Sequence, residues 1–337
     1  MSAPWKTALA VGLAFALVGP GPILAQNWPA PSAEPPLSEA PQEAPRPPQP
    51  IPPQAFRTPE EGFAALADAV RAHDERRLLR VLGEAARRLV RSGDPVADRA
   101  MLDRFAAAYA ERAAIEHPAP YIAVLQVGAD GWPLPIPMIK HANRWRFDAG
   151  QGAQELVNRR IGRNELDTIE VLRALVAAQD EYAGTVGRQG VFRAYARRFF
   201  STPGTRDGLY WPTAAGEPDS PLGPLAAAAS TGGYGTAASR AAGDDAPRPF
   251  HGYLFRMLEA QGPDAPGGAM EYVVNGRMIG GFGVVAVPAQ YGVSGIMTFQ
   301  VSHAGAVYQR NLGPQTARIA RRITAFNPGP GWERVPE

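Results

Sequence analysis

Apolar residues recur at helical spacing from the point where the chain leaves a proline-rich stretch. The segment Thr58–Val70 begins with a capping threonine, a proline and a glutamate, and its large apolar residues then fall on one helical face. Asp74 and Asp94 each precede another periodic segment, and the second of these carries three large residues at four-residue steps from Met101 to Tyr109. The pattern therefore predicts three helices.

Short strand patterns follow these helices. Three segments rich in apolar and aromatic side chains are separated by turn-forming residues, which is typical of an antiparallel meander. They are residues 121–127, 132–139 and 144–147. Helices followed by a meander predict a small α+β domain over residues 56–150.

The second half repeats this order on a larger scale. Gly162 is expected to break a short helix, after which Asn164 caps a long helix that ends near Ala183. A Gly- and Pro-rich loop follows at residues 184–249, and its middle, 226–246, is expected to be mobile. Strand patterns then return, with a last helix after them; they lie at residues 252–258, 270–274, 278–287, 295–302, 306–310 and 315–325. The fold class predicted for the whole chain is α+β, with residues 151–337 forming one long helix packed on an antiparallel sheet.

Residues 1–26 are expected to be a cleaved signal peptide. Lys6 precedes an apolar run, Thr7–Val18, that is too short to span a bilayer, and cleavage is expected after Ala25. Residues 27–55 contain eleven prolines, which favours an extended tether. We therefore expect a periplasmic or secreted protein with no transmembrane anchor after cleavage.

Composition excludes several classes of protein. The 337 residues carry a formal net charge of +2, which argues against a nucleic-acid binder. The absence of cysteine excludes disulfides and thiolate catalysis. The five histidines show no metal-ligand spacing, neither lysine follows a glycine-rich turn, and Gly292–Gly295 lacks the full spacing of a nucleophile elbow. We therefore expect neither a metal nor a cofactor.

Two constellations of polar residues are candidate sites. In the first, Arg159, Arg160 and Arg163 precede Asn164 and Glu165 at the expected helix start. Arginine forks bind anions well, so this cluster could hold an anionic envelope ligand. The alternative, which we favour, is structural: a carboxylate in the first turn pairs with arginine and with the helix dipole.

The second constellation combines an acidic turn with aromatic residues. Asp207 could orient His251, and Tyr210, Trp211 and Tyr253 could stack on a sugar or peptide. The structural alternative, again favoured, is that Asp207 forms a turn and that the aromatic residues pack the loop onto the sheet.

One further candidate for ligand binding is Asn275, which with Gly276 lies between two strand patterns. This pair is first of all typical of a type I′ hairpin turn.

Several motifs of the second half carry a resemblance to a known family. They are NRRIGRNEL (158–166), STPGTRDGLYWP (201–212), SPLGPL (220–225), FHGYLFRMLEAQGPDAPGG (250–268), YVVNGRMIGGF (272–282) and PAQYGVSGIMTF (288–299). Together they resemble domain of unknown function 2950, a family of secreted bacterial proteins, over roughly residues 55–335. The resemblance implies export and a shared fold, and it implies no particular activity.

A more distant likeness concerns the C-terminal half alone. Its long helix, loop-rich middle and final meander, FQVSHAGAVY (299–308), are similar to the globular part of type II pseudopilins. The chain lacks the apolar half-helix with which pilins polymerise, so a pilin-like unit here could not assemble in that way.

The missing catalytic signatures favour a non-catalytic protein that binds another envelope component, either a protein or a glycan. The alternative is a hydrolase or lyase acting on cell wall or polysaccharide, with Asp207, His251 and Glu165 as its acid–base residues. That alternative requires the three side chains to converge in one cleft beside Tyr210 and Trp211.

Overall fold

A computed structural model of the protein describes residues 52–234 and 248–336. The signal peptide predicted at 1–26, nearly all of the tether predicted at 27–55 and part of the long loop lie outside these residues. In the described residues the chain is α+β, as predicted, with seven α-helices. They are α1 (Pro59–Arg71), α2 (Glu75–Leu82), α3 (Arg87–Val90), α4 (Pro95–Glu111), α5 (Ala149–Gly184), α6 (Gly223–Thr231) and α7 (Thr316–Ala320).

Capping side chains fix where the first helices begin. Thr58, Asp74 and Asp94 each accept a hydrogen bond from a backbone N–H of the helix that follows, at 2.9–3.3 Å. These contacts confirm the three helix starts predicted from sequence. None of the helices within residues 52–234 and 248–336 is long and apolar enough to cross a bilayer.

The N-terminal sheet has five antiparallel strands in the order β1-β2-β4-β5, with β3 paired to β2. The strands are β1 (Ala113–Ala119), β2 (Ile122–Val127), β3 (Trp132–Pro133), β4 (Met138–His141) and β5 (Arg144–Phe147). Strand β1 is absent from the sequence prediction, because an edge strand with Glu116, His117 and Pro118 does not alternate. The single strand predicted at 132–139 is two strands, since prolines interrupt it.

Helix α5 runs without interruption from Ala149 to Gly184, so the predicted break at Gly162 and the predicted cap at Asn164 are wrong. A Cβ at position 162 would meet nothing within 4 Å, so the glycine lies on an open face and costs the helix only about 1 kcal/mol. Residues 149–161 pack into one hydrophobic cluster and residues 169–182 into another. Burial on both sides of the glycine therefore outweighs its weak helix propensity.

The C-terminal sheet is antiparallel, in the order β10-β15-β16-β17-β18, and α5 packs on it. Its strands are β10 (Tyr253–Leu258), β15 (Gly283–Pro288), β16 (Met297–Ser302), β17 (Val307–Asn311) and β18 (Glu333–Arg334). The strand predicted at 278–287 is split in two. A Cβ at Gly280 would lie 2.6 Å from the carbonyl oxygen of Glu271, and Gly281 has a φ of +137°, so the chain breaks its strand there.

Four smaller pairs of strands lie outside this sheet in the same half of the chain. They are β6 (Arg188–Gln189) with β7 (Phe192–Arg193), β8 (Arg198–Phe200) with β9 (Gly208–Tyr210), β11 (Ala260–Gln261) with β12 (Met270–Glu271), and β13 (Val273–Val274) with β14 (Arg277–Met278). The predicted loop 184–249 thus contains regular structure. Residues 226–231 of the segment expected to be mobile belong to α6, so they are not an irregular loop, and most of the remainder lies outside the described residues. The mobility itself stays a prediction.

Two main hydrophobic clusters hold the described chain together. The first joins α1, α2, α4 and the N-terminal sheet to the start of α5, and the second joins the rest of α5 to the C-terminal sheet. Helix α5 therefore contributes to both. The division into domains at residue 150 stays a prediction.

Candidate functional site

Glu165 serves as a structural acceptor at the start of a strand. Its Oε1 accepts hydrogen bonds from the backbone N–H groups of Ile296 and Met297, at 2.8 and 2.9 Å. Ile296 immediately precedes β16 and Met297 is its first residue, so the carboxylate connects α5 to the C-terminal sheet.

Arg160 and Asn164 also connect α5 to its neighbours. The Arg160 guanidinium donates to the carbonyls of Arg88 and Leu89 at the end of α3, and its burial lowers its pKa. The Asn164 amide donates to the Ser294 carbonyl at 2.8 Å and is buried. Arg163 is exposed. Arg160 and Asn164 thus make structural contacts, and Arg163 is a cation on the surface. The three residues do not form an anion-binding pocket.

Asp207 accepts hydrogen bonds from residues of its own loop. Its two oxygens accept hydrogen bonds from the Thr202 N–H and hydroxyl and from the Thr205 hydroxyl, at 2.7–2.8 Å. Arg198 lies 3.9 Å away. The pKa of Asp207 is lowered by these hydrogen bonds and by Arg198, against a raising contribution from burial. This matches the favoured interpretation of the residue as part of a turn.

The predicted aromatic residues pack rather than line a cleft. Trp211 is buried against Tyr182, Tyr210 packs edge-on against Phe200, and Tyr253 is fully buried. The Tyr253 hydroxyl donates to the Met297 carbonyl at 2.9 Å, and burial raises its pKa.

Asn275 belongs to the turn between β13 and β14. It has a φ of +50° and the following Gly276 a φ of +77°, as a type I′ turn requires. The favoured interpretation of this pair as a hairpin turn is confirmed.

The carboxylate beside His251 belongs to Asp167. The histidine Nδ1 lies 3.3 Å from the Asp167 Oδ2, and the ring packs against Phe250 with a centroid separation of 4.2 Å. The backbone of His251 is in the left-handed region, with a φ of +49°, and its N–H donates to the Tyr234 hydroxyl. Asp207, Glu165 and His251 thus each have partners of their own. The geometry does not assemble them into the catalytic set that the hydrolase hypothesis requires.

A large apolar cavity lies in the N-terminal half, between α4 and the core beneath it. Its volume is about 650 Å³, within the range of about 300–1,000 Å³ of small-molecule sites. Apolar side chains from several elements form most of its wall. They include Leu66, Val70, Leu78, Leu82, Leu89, Val90, Met101, Leu102, Phe105, Val127, Leu134, Ile136 and Leu156.

Helix α4 covers this cavity without sealing it. None of its 17 residues is fully buried, although Met101, Leu102 and Phe105 face the core. A closed, dry void of this volume would cost about 15 kcal/mol at about 24 cal/mol per Å³, as much as the entire stability of a domain. The space is therefore one that water or a ligand enters, and not a sealed packing defect.

The mouth of the cavity is polar and carries charges of both signs. Arg104 and Glu111 on α4 face it from one side, and Asp130 in the turn before β3 and Trp132 at the start of β3 face it from the other. The N–H of Gly128 donates to the Ala108 carbonyl at 3.0 Å, which holds this turn against the helix. An apolar interior with a charged rim suits a molecule that has both a hydrocarbon part and a polar head.

The sequence pattern does not predict the residues of this cavity as a binding site. The spacing of Met101, Phe105 and Tyr109 predicts an apolar helix face, and the same spacing serves a packed core and a cavity wall equally. In residues 52–234 and 248–336, no group of three or more His, Asp and Glu side chains is placed to hold a metal ion.

Comparison with known proteins gives one match. A family model described as protein of unknown function (DUF2950) matches residues 53–335, which is most of the chain. No curated protein and no solved structure matches it.

Proposed function

Because the chain belongs to the DUF2950 family, whose description names no activity, we propose a function from the geometry of the α4 cavity. The protein is a non-catalytic binding module of the bacterial envelope, and its ligand is a single-chain amphiphile. The hydrocarbon chain lies beneath α4 among Leu78, Leu102 and Phe105, and the head lies at the mouth.

The apolar wall of the cavity is the observation that carries this proposal. Each methylene removed from water contributes about 0.8 kcal/mol, so a chain of several carbons supplies enough free energy to bind without any ion pair. At the mouth, the cation Arg104 and the anions Glu111 and Asp130 match a head that carries both a negative and a positive charge. A zwitterionic lysophospholipid has this chemistry.

The envelope is the compartment in which such ligands are abundant. The apolar run after Lys6 and the proline-rich segment 27–55 support export and a tether of extended reach. A protein delivered outside the cytoplasm would meet single-chain lipids released from the membrane.

The experiment compares two neighbouring alanines of α4. Ala108 lines the cavity, whereas Ala107 is exposed on another face of the same helix. In Ala108→Trp an indole fills part of the ligand's space, and in Ala107→Trp the same indole points to solvent. Binding is followed by the fluorescence of N-phenyl-1-naphthylamine, an apolar dye, and by its displacement with lysophosphatidylethanolamine below its micellar concentration.

We expect the wild-type protein and Ala107→Trp to bind the dye and to release it to the lipid, and Ala108→Trp to bind at least about tenfold more weakly. Both variants are checked for the wild-type circular dichroism spectrum. Equal binding by all three proteins, or no binding by any, contradicts the proposal.

A further inference from the structure

A second surface of the protein combines exposed apolar side chains with arginines. The hairpins β6–β7 and β13–β14 border a polar cleft of about 520 Å³, which Gln189 of the first and Arg277 of the second both line. A backbone hydrogen bond of 2.8 Å from Tyr195 to Met278 holds them side by side. We call the exposed residues Arg188, Val191, Phe192, Arg193 and Val274, together with the half-buried Arg277 at the edge of the cleft, the hairpin surface.

The tip of the first hairpin projects apolar side chains into solvent. Val191 is 93% exposed and Phe192 is 62% exposed, directly after Gly190, whose φ of +63° makes the turn. Val274, on the second hairpin, is 43% exposed. A single exposed apolar residue is ordinary, but three on adjoining hairpins form a patch that favours contact with something less polar than water.

The first hairpin is rich in arginine, although Asp207 and Glu259 line the cleft beside it. Residues 182–206 contain five arginines and no acidic residue. Arg197 is paired with Glu259 at 2.7 Å. In the part of the chain that the structure describes, no carboxylate lies within ion-pair distance of Arg188, Arg193 or Arg277. These three guanidinium groups are therefore available to bind anions.

We propose that the hairpin surface docks on an anionic lipid membrane. Phe192 and Val191 enter the boundary between headgroups and acyl chains, and Arg188, Arg193 and Arg277 bind lipid phosphates. Two protruding side chains offer far less than the roughly 800 Å² that each partner buries in a stable protein complex, whereas they suit shallow insertion into a bilayer. The charge complementarity selects anionic over neutral lipid.

The test is co-sedimentation of the protein, expressed without residues 1–26, with vesicles. One set of vesicles contains phosphatidylglycerol mixed with phosphatidylcholine, and the other phosphatidylcholine alone. We expect binding to the anionic vesicles only, weakening as salt is raised. Arg188→Gln combined with Arg193→Gln reduces partitioning about 25-fold, at about fivefold per arginine. Phe192→Ser reduces it by at least about tenfold.

Matched controls come from other exposed sites. Leu166, which is 67% exposed on α5, serves as the apolar control in Leu166→Ser, and Arg76→Gln with Arg99→Gln is the charge control. These variants are expected to bind like the wild-type protein, as is Ala108→Trp, so the outcome does not depend on the cavity. Thermal melts confirm that each variant folds. The proposal is overturned if the wild-type protein does not bind vesicles, or if the control variants lose as much vesicle binding as the hairpin variants. It is also overturned if the hairpin surface binds a protein partner but no vesicles.

Discussion

The carboxylate of Asp94 accepts a hydrogen bond of 2.9 Å from the backbone N–H of Gly252, 158 positions further along the chain. The same oxygen accepts from the Tyr234 hydroxyl at 3.0 Å, and burial, together with Asp94 itself, raises the pKa of that hydroxyl. The other oxygen caps α4. One side chain, 1% exposed, thus fixes the helix over the cavity and the start of the C-terminal sheet.

Replacing Asp94 is expected to destabilise the whole protein. Asp94→Ala removes a helix cap and leaves one buried and one partly buried donor without this acceptor, which costs about 3 kcal/mol in the free energy of unfolding. The control is Asp74→Ala, which removes a comparable cap from α2 and is expected to cost about 1 kcal/mol. Urea denaturation measures both. Equal losses would mean that the contacts with Tyr234 and Gly252 contribute nothing.

Gly252 allows this contact because it has no side chain. Its φ is +74°, and a Cβ there would collide with the Asn164 amide and approach the Ser294 Cβ at 3.0 Å. We expect Gly252→Ala to lower the free energy of unfolding by about 2–3 kcal/mol or more. Gly276→Ala, at a φ of +77° with nothing within 4 Å, carries only the backbone strain and is expected to cost about 1 kcal/mol. Urea denaturation measures the free energy of unfolding of both variants. The difference between their losses is the cost of the steric clash at position 252 beyond that of the backbone strain.

Asp98 predicts a dependence of stability on pH. Its Oδ1 is buried without a hydrogen-bond partner, and burial raises its pKa against the opposing effects of Ser92 and Arg160. A folded-state pKa above the unfolded value means that ionisation destabilises the fold, and that this penalty is relieved as pH falls through the raised pKa. Asp98→Asn should therefore raise the free energy of unfolding at pH 7, and its advantage should vanish at acidic pH. An advantage that is the same at both pH values would contradict this assignment.

Arg104 is predicted to contribute to recognition of the ligand's head. Because it is exposed, its ion pair with a phosphate is screened, so Arg104→Gln should weaken lysophospholipid binding only about two- to fivefold. The binding of an uncharged apolar dye should not change. Arg99→Gln, on α4 but away from the cavity wall, is the control. Competition titrations with the dye provide both values, and a loss of dye binding in Arg104→Gln would place the effect in the helix instead.

Local chemistry made parts of this structure predictable. Thr58, Asp74 and Asp94 show their capping role in the sequence, and Asn275 with Gly276 shows a turn, because these contacts form between residues close in the chain. The partners of Asp167 and Glu165 lie 84 and more than 130 positions away, and no local pattern encodes them.

The cavity could not be predicted from the sequence because it too depends on contacts between distant parts of the chain. An apolar face on α4 predicts burial, but whether Phe105 meets a neighbour or an open space depends on how the helix sits above the sheet. The continuous α5 shows the same limit, since packing on two clusters overrides Gly162. Asp207 and His251 show the same limit. An aspartate and a histidine are a plausible catalytic pair in the sequence, but in the fold Asp207 contacts Thr202 and His251 contacts Asp167.

The most direct measurement locates the ligand inside the protein. Methyl-labelled protein is titrated with lysophosphatidylethanolamine below its micellar concentration, and nuclear Overhauser contacts are recorded between the acyl chain and protein methyl groups. The account predicts contacts to Leu78, Leu82 and Leu102, which lie within the cavity wall. Acyl contacts confined to exposed residues such as Leu166 and Val191, or no saturable contacts at all, would contradict it.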